Sequence, residues 1–178
     1  MTDKEPVRIW TVGHSTLGPA EFMLLLSSHG ILNLADVRRF PASRRYPHFN
    51  EPQLRVLLHA SGIAYHSFRE LGGRRTPRSD SPNTGWRNAS FRGYADYMET
   101  KEFLDGIARL MDVARAGPTA IMCAEALWWR CHRSLISDWL KANGIEVCHI
   151  TGKHTSTSHP FTQPARIVDG RLSYRENA

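Results

Sequence analysis

The densest group of reactive residue types lies between residues 123 and 134, in the segment CAEALWWRCHRS. It holds two cysteines, a glutamate, two adjacent tryptophans, two arginines and a histidine. A phosphatase-type thiolate loop needs a cysteine, five residues and then an arginine. Here Trp129 stands at the position of that arginine, and Arg130 comes one residue too late. A phosphatase loop around Cys123 is therefore disfavoured.

A metal site is a second interpretation of the same segment. Cys123, Cys131 and His132 could supply ligands together with Cys148 or His149. Zinc sites usually contain a closely spaced pair such as Cys-x-x-Cys, which the sequence lacks. We therefore predict no metal and no cofactor, and we expect Cys123 to be an inert cysteine at the end of a core strand.

The positive charges of this segment favour an anion-binding site. Arg130, His132 and Arg133 stand at the predicted start of a helix, where free N–H groups and the helix dipole already attract anions. Cations at that end are unfavourable unless something negative binds. Glu125 is either their internal counter-ion or a general base. Trp128 offers a stacking surface for a nucleobase, because two adjacent indoles cannot easily both point inward.

Further candidates follow three other predicted strands. His14 and Ser15, in GHST, could act on or hold a phosphate group, although Ser15 or Thr16 could instead cap the next helix. Asp36, in DVRRFP, is either a catalytic carboxylate or the ion-pair partner of a neighbouring arginine. The remaining candidates, for phosphate contacts, stacking or close backbone approach, are Arg38, Arg39, Arg44, Arg45, Tyr46, Phe49, Asn50, Gly72 and Gly73.

Arginine is concentrated in one part of the chain. Residues 38–92 contain eleven arginines, no lysine and three acidic residues, a local net charge of +8 in a chain of net charge +6. Aromatic residues are interleaved with these arginines. The combination is typical of a surface that contacts phosphates and stacks on flat groups. The alternative is a chain in which arginine simply replaces lysine everywhere.

The elements that must position these residues alternate along the chain. Strands are predicted over residues 7–13, 31–38, 63–68, 119–124 and 145–150, and helices over 19–30, 51–62, about 91–117 and 131–144. A hairpin is predicted over 165–174, turning at Asp169-Gly170. The order predicts one α/β domain over residues 1–178, a mostly parallel sheet with helices on both faces in Rossmann-like layers. Because such sheets bind ligands beyond the carboxyl ends of their strands, the candidates should gather at one edge.

The chain also resembles the domain of unknown function 488 (DUF488) family over nearly its whole length. The resemblance rests on TVGHST, DVRRFPASRRYPHFN, YHSFRELGG, FRGYADYM, IMCAEALWWRCHRSLISDWL and HPFTQPARIVDGRLSY, in this order. It implies only a loose association with DNA and with the excision of modified bases.

Together, these observations predict an enzyme that acts on nucleic acid or a nucleotide-like substrate. Its most concrete form is a glycosylase-type hydrolase that excises a modified base from DNA, with Asp36, Glu125 and His14 as catalytic residues. The alternatives are an enzyme for a small phosphorylated or carboxylated metabolite, and a non-catalytic module that binds anions or nucleic acid. Each would use the same arginine-rich surface.

Composition also bears on where the protein acts. No apolar run approaches the roughly 20 residues that cross a bilayer, and the first residues lack the pattern of a signal peptide. The three cysteines show no disulfide-scaffold spacing. We expect a cytoplasmic protein with DNA as its partner and no membrane association, and the sequence predicts no oligomeric state.

Overall fold

A six-stranded sheet forms the centre of the computed structural model, which describes residues 7–176. Its strands are β1 (Arg8–Gly13), β2 (Asn33–Asp36), β3 (Ala64–Ser67), β4 (Thr119–Cys123), β5 (Glu146–Gly152) and β6 (Thr155–Ser158). Their spatial order is β3-β2-β4-β1-β5-β6. The first five strands all pair in parallel with their neighbours in the sheet, and β6 pairs antiparallel with β5.

Helices cover both faces of this sheet. They are α1 (Pro19–Ser28), α2 (Glu51–Ala60), α3 (Ala89–Tyr97), α4 (Lys101–Ala116) and α5 (Arg133–Ala142). One apolar cluster joins α1 and α2 to the sheet, and a second joins α3, α4 and α5 to the opposite face. The predicted fold class, a mostly parallel α/β sheet in Rossmann-like layers, is confirmed. No helix within residues 7–176 has the length and apolar character needed to span a membrane.

Strand β4 shows why this sequence suits a doubly covered sheet. Ile121 packs in the cluster of α3, α4 and α5, whereas Ala120 and Met122 pack in the cluster of α1 and α2. Successive side chains of a strand point to opposite faces, so a strand covered on both sides must be apolar at every position. Residues 120–122, AIM, meet this requirement, and the buried hydroxyl of Thr119 before them donates to the carbonyl of Gly117.

The remaining predicted elements are close to those observed, with two differences. The helical region predicted from about residue 91 to 117 is two helices, and the Thr100 side chain caps the second by accepting a hydrogen bond from the Phe103 backbone N–H. Strand β6 was not predicted. The long loop after Gly72 is ordered around Asp96, which accepts hydrogen bonds from the Arg78 backbone N–H and the Ser81 hydroxyl. The hairpin is confirmed as β7 (Arg166–Val168) and β8 (Arg171–Ser173), which pair across the Asp169-Gly170 turn.

The order of the strands creates a crevice above β1 and β4. From β1 the chain passes through α1 to β2, on one side, and from β4 it passes through α5 to β5, on the other. The loops that leave neighbouring strands in opposite directions open a gap between them, and ligands of α/β proteins bind in such gaps. The first residues of the two loops remain joined, because the N–H of His14 donates to the carbonyl of Cys123 at 3.0 Å.

Candidate functional site

A cavity of about 640 Å³ lies at this crevice, and we call it the pocket. Segments that are far apart in the chain meet around it. Ten of the predicted site residues line it: His14, Ser15, Arg38, Arg39, Arg45, Tyr46, Gly73, Glu125, Arg130 and His132. The structure therefore brings the loops after β1, β2, β3 and β4 to one place.

Asp36 does not line the pocket. Only 1% of it is exposed, and its Oδ1 accepts hydrogen bonds from the Arg38 backbone N–H at 3.1 Å and from the Arg38 Nε at 2.9 Å. Its Oδ2 accepts from the Arg38 Nη2 at 2.6 Å and from the Tyr65 hydroxyl at 2.8 Å. The predicted catalytic role of Asp36 is corrected, because both oxygens are sealed under the pocket. Asp36 forms the ion pair that was the alternative interpretation.

Arg38 is fixed from three directions. Besides Asp36, its guanidinium donates to the carbonyl of Phe49 at 2.8 Å and contacts the His14 Nε2 at 3.3 Å. Burial opposes the charge of this side chain, but the hydrogen bonds and charge of Asp36 outweigh it, so the pKa of Arg38 is raised. A permanently charged guanidinium is thus held rigidly at the pocket wall.

His14 is a neutral, buried imidazole. Burial, and then the positive charge of Arg38, lower its pKa from 6.5 to about 4. Its Nδ1 lies 3.0 Å from the carbonyl of Ser15, and its ring stacks on Phe49 with 4.1 Å between centroids. Since Arg38 can only donate, His14 accepts at Nε2 and carries its proton on Nδ1. Both nitrogens are engaged, so His14 orients Arg38 and is not free to act as the predicted catalytic group.

Glu125 is the carboxylate of the pocket. Its side chain is exposed, and its Oε1 accepts a long hydrogen bond, 3.3 Å, from the Leu127 backbone N–H. It makes no ion pair with any residue that the structure describes. The close approach of this loop depends on Gly13, where a Cβ would lie 2.0 Å from the carbonyl oxygen of Glu125. Glycine at the end of β1 therefore allows the backbone of the β4 loop to pack against it at Glu125.

The rim of the pocket carries four exposed arginines, Arg39, Arg45, Arg74 and Arg130, which we call the arginine rim. None of them forms an ion pair with a carboxylate within residues 7–176. The Nη1 of Arg39 donates to the carbonyl of Arg74 at 2.8 Å, and the guanidinium of Arg45 lies 5.5 Å from the ring centre of Tyr46. Uncompensated guanidinium groups around one cavity favour an anionic ligand.

Two cysteines and a histidine form the floor on one side. The side-chain ligand atoms of Cys123, Cys131 and His132 all lie within 4.8 Å of one another. Cys123 is half-buried, packs against the apolar cluster of α3, α4 and α5, and also lines the pocket, so its inertness stays a prediction. Cys148 and His149, the other candidate ligands of the sequence, lie on β5 outside this cluster.

The two thiols differ in acidity. The hydrogen bond to Cys131, together with burial, raises the pKa of Cys123 to about 12. For Cys131, burial favours the neutral thiol, but the Cys123 hydrogen bond and the charge and N–H groups of Arg133 prevail and lower its pKa to about 6. The hydrogen bond between the two thiols therefore raises the pKa of Cys123 and lowers that of Cys131.

Several predicted contacts do not reach the pocket. Phe49 is fully buried beneath His14, and Arg44 is exposed away from the cavity. Asn50 accepts a hydrogen bond from the backbone N–H of Ser43 and so shapes the loop.

Ser15 and Thr16 do not cap α1, whose N-cap residue is Gly18 and has no side-chain cap.

Two further predictions are corrected by packing, and Trp128 lies beside the pocket. Arg133 is buried and donates to the backbone carbonyl of Glu125, so it supports the loop instead of meeting a ligand. At Gly72 a Cβ would lie 2.7 Å from the Cα of Arg39, which shows close packing of two loops. Trp128 stacks on His149 with 4.2 Å between centroids and lines a neighbouring cavity.

Some residues at the site were missed. Arg74, Phe91 and Tyr94 line the pocket, and Tyr65 holds Asp36 below it. Arg74 directly follows Gly73 in GGRR, so its position after β3 was a usable signal. Tyr65 and Tyr94 lie inside regular elements and gave none.

Comparison with known families decides the relationship of this chain. Residues 19–140 match the family described as "Domain of unknown function DUF488". The chain belongs to the DUF488 family. The resemblance noted in its sequence is thereby confirmed, and the matched residues of this DUF488 protein include every pocket loop except the one after β1. Comparisons with curated proteins and with solved structures give no significant match.

Proposed function

We propose that this DUF488 protein is a nucleic-acid-processing enzyme that holds phosphates with the arginine rim and hydrolyses a bond of a nucleotide placed in the pocket. Its most concrete form is the excision of a modified base from DNA. One observation supports the proposal most strongly: four arginines without carboxylate partners in the described chain surround a single cavity that contains an exposed glutamate.

A second cavity beside the pocket favours a polymer over a small metabolite. It has a volume of about 770 Å³ and shares Phe91 with the pocket. Aromatic and cationic side chains line it, namely Trp86, Trp128, Trp129, Phe161, Arg87, Arg166 and Arg175. Flat rings beside guanidinium groups are the usual features of single-strand binding surfaces. The pocket alone has the size of a small-ligand site, and the added cavity suits a flanking nucleotide.

Glu125 supplies the chemistry in this proposal. Its carboxylate takes a proton from a water molecule, whose oxygen attacks C1′ of the sugar. The C1′–N bond breaks with its electron pair on the base, and the proton held by Glu125 passes to that base as it leaves. Asp36 contributes indirectly, since its ion pair fixes Arg38. The mechanism therefore uses one carboxylate where the sequence predicted two.

Binding is tested first by the affinity for single- and double-stranded oligonucleotides across a range of salt concentrations. Four phosphate contacts should give a slope of log affinity against log salt of about −3 to −4. Nucleoside phosphates serve as the comparison ligands. Thermal stabilisation by a nucleoside phosphate without any binding of oligonucleotides would instead support an enzyme for a small phosphorylated metabolite.

Catalysis is tested on oligonucleotides that carry alkylated, oxidised or deaminated bases. Abasic product, detected as strand breakage in alkali, should form with at least one of them. In Glu125→Gln the excision rate should fall by about 10² to 10⁴ because a general base is lost. Oligonucleotide affinity should stay within about twofold, since the exposed Glu125 carboxylate does not support the fold. Equal rates in both proteins would overturn the role of Glu125.

A further inference from the structure

We propose that Cys123, Cys131 and His132 bind a zinc ion at the floor of the pocket. Cys123 is the last residue of β4, and Cys131 and His132 precede α5. The fold, and not a short local motif, brings the three side chains together. The inference concerns these residues themselves and does not depend on what substrate the pocket accepts.

The spacing of the three ligand atoms suits tetrahedral zinc. With usual bond lengths, two sulfurs on one zinc ion lie roughly 3.8 Å apart, and a sulfur and a nitrogen roughly 3.6 Å apart. The Cys131 Sγ lies 3.5 Å from the His132 Nδ1, and all three ligand atoms lie within 4.8 Å of one another. Small rotations of the side chains would complete the geometry.

The orientation of His132 is that of a metal ligand. Its Nε2 lies 2.9 Å from the carbonyl of Val37 and donates to it, which leaves the lone pair of Nδ1 directed at the sulfur atoms. Histidines that bind metals usually donate their other N–H in this way. Gly73 keeps the Nδ1 side open, because a Cβ there would lie 2.7 Å from that nitrogen.

The environment of Cys131 fits the same role. Its Sγ accepts a hydrogen bond from the Arg133 backbone N–H at 3.5 Å, at the start of α5. Such outer contacts orient a ligand before the metal binds. Two sulfurs and an imidazole select zinc over magnesium or calcium, which prefer oxygen ligands.

Three protein ligands leave one tetrahedral position free. Since Cys123, Cys131 and His132 all line the pocket, that position opens to it, as in catalytic zinc sites. A bound zinc ion would supply a Lewis acid and would lower the pKa of a water molecule on the same cavity as Glu125. This goes beyond the proposed excision reaction, which requires only the carboxylate.

The direct test measures the zinc content of the full-length protein, purified under reducing conditions and dialysed after incubation with zinc. We expect one zinc ion per chain in the wild type and in Cys148→Ser, a matched control because Cys148 is a free buried cysteine outside the cluster. In Cys123→Ser and Cys131→Ser, at least 90% of the zinc should be lost. Circular dichroism verifies that each variant is folded.

Cobalt provides a readout that needs no variant. Loading the reduced wild type with Co²⁺ should produce thiolate-to-cobalt charge-transfer absorption and the intense visible bands of a tetrahedral site, and added zinc should remove both. Wild-type protein that retains no zinc and shows no charge transfer overturns the proposal. Bound zinc should also slow the formation of a Cys123–Cys131 disulfide by peroxide. Equal rates of disulfide formation with and without zinc would overturn the proposal. None of these measurements uses a substrate, so failure of DNA binding or excision leaves their outcome unaffected.

Discussion

Arginines at the pocket and arginines on the helices differ in what they contact. On the helices, Arg55 pairs with Glu51 at 2.9 Å and Arg115 pairs with Asp112 at 3.0 Å, each within its own helix. At the pocket, Arg45 and the other members of the arginine rim have no carboxylate partner within residues 7–176. The same residue type therefore serves the surface of the fold in one region and is available to a ligand in the other.

This difference distinguishes two explanations of the arginine content, a general replacement of lysine by arginine and a surface that binds a ligand. An excess of arginine over lysine in the whole chain fits the paired helix arginines, which lysine could replace at little cost. It does not explain why four arginines without carboxylate partners in the described part of the chain surround one cavity. Their common position is the observation that favours a ligand.

Arg38 is the exception, because it lines the pocket but is paired with a buried carboxylate. Asp36→Asn should remove that charge and lower the free energy of unfolding by about 3 to 5 kcal/mol, since it leaves a buried guanidinium without its counter-ion. Urea unfolding measures this effect. Glu51→Gln, which breaks exposed ion pairs with Arg55 and Arg69, should cost less than about 1 kcal/mol. Similar losses in the two variants would remove the distinction between buried and exposed pairs.

The arginine rim itself is tested by charge removal at constant size. Each phosphate contact contributes about eightfold to DNA affinity at 0.1 M salt. Arg45→Gln combined with Arg74→Gln should therefore weaken binding about sixtyfold and reduce the salt slope by about 2. Arg55→Gln combined with Arg115→Gln removes the same charge from the helices and should change affinity much less. Equal effects of the two pairs would show that net charge alone governs binding.

The buried imidazole of His14 predicts a dependence of the folding stability on pH. The pKa of buried His14 is about 4, so between about pH 6.5 and 4 the unfolded chain binds a proton that the folded chain excludes. Stability should fall with decreasing pH in this window, by up to about 1.4 kcal/mol per pH unit from this residue. In His14→Gln the slope should become shallower by that amount. Unfolding curves at pH 7, 6 and 5 supply the slopes.

Much of the fold was predictable because its parallel strands are short apolar runs that end at glycine or at polar residues. TAIM and RIWTVG carry this signal, and the bounds of each strand differ from the prediction by one residue. Strand β6, TSTS, is exposed and polar, and it is a strand only because its backbone pairs with β5. Nothing in its side chains could indicate that pairing.

The site was predictable to the level of segments but not of roles. The rule for the carboxyl ends of strands places the GHST, DVRR and CAEA loops together, as observed. It does not show that Tyr65, which lies beside Leu34 in the neighbouring strand, would occupy the last lone pairs of Asp36. Nor could the spacing show that Cys123 and Cys131, which are eight positions apart in the sequence, would both lie beside His132. The tautomer of that histidine is set by the carbonyl of Val37, in the loop after β2.

The central position of β1 has a practical consequence for anyone who wishes to produce part of this chain. The family match begins at residue 19, after β1 has ended, yet β1 lies between β4 and β5. A fragment of residues 19–140 would lose β1, β5 and β6 and would leave β4 with a bare hydrogen-bonding edge, a template for aggregation. Expression boundaries drawn from sequence similarity would therefore divide the folding unit.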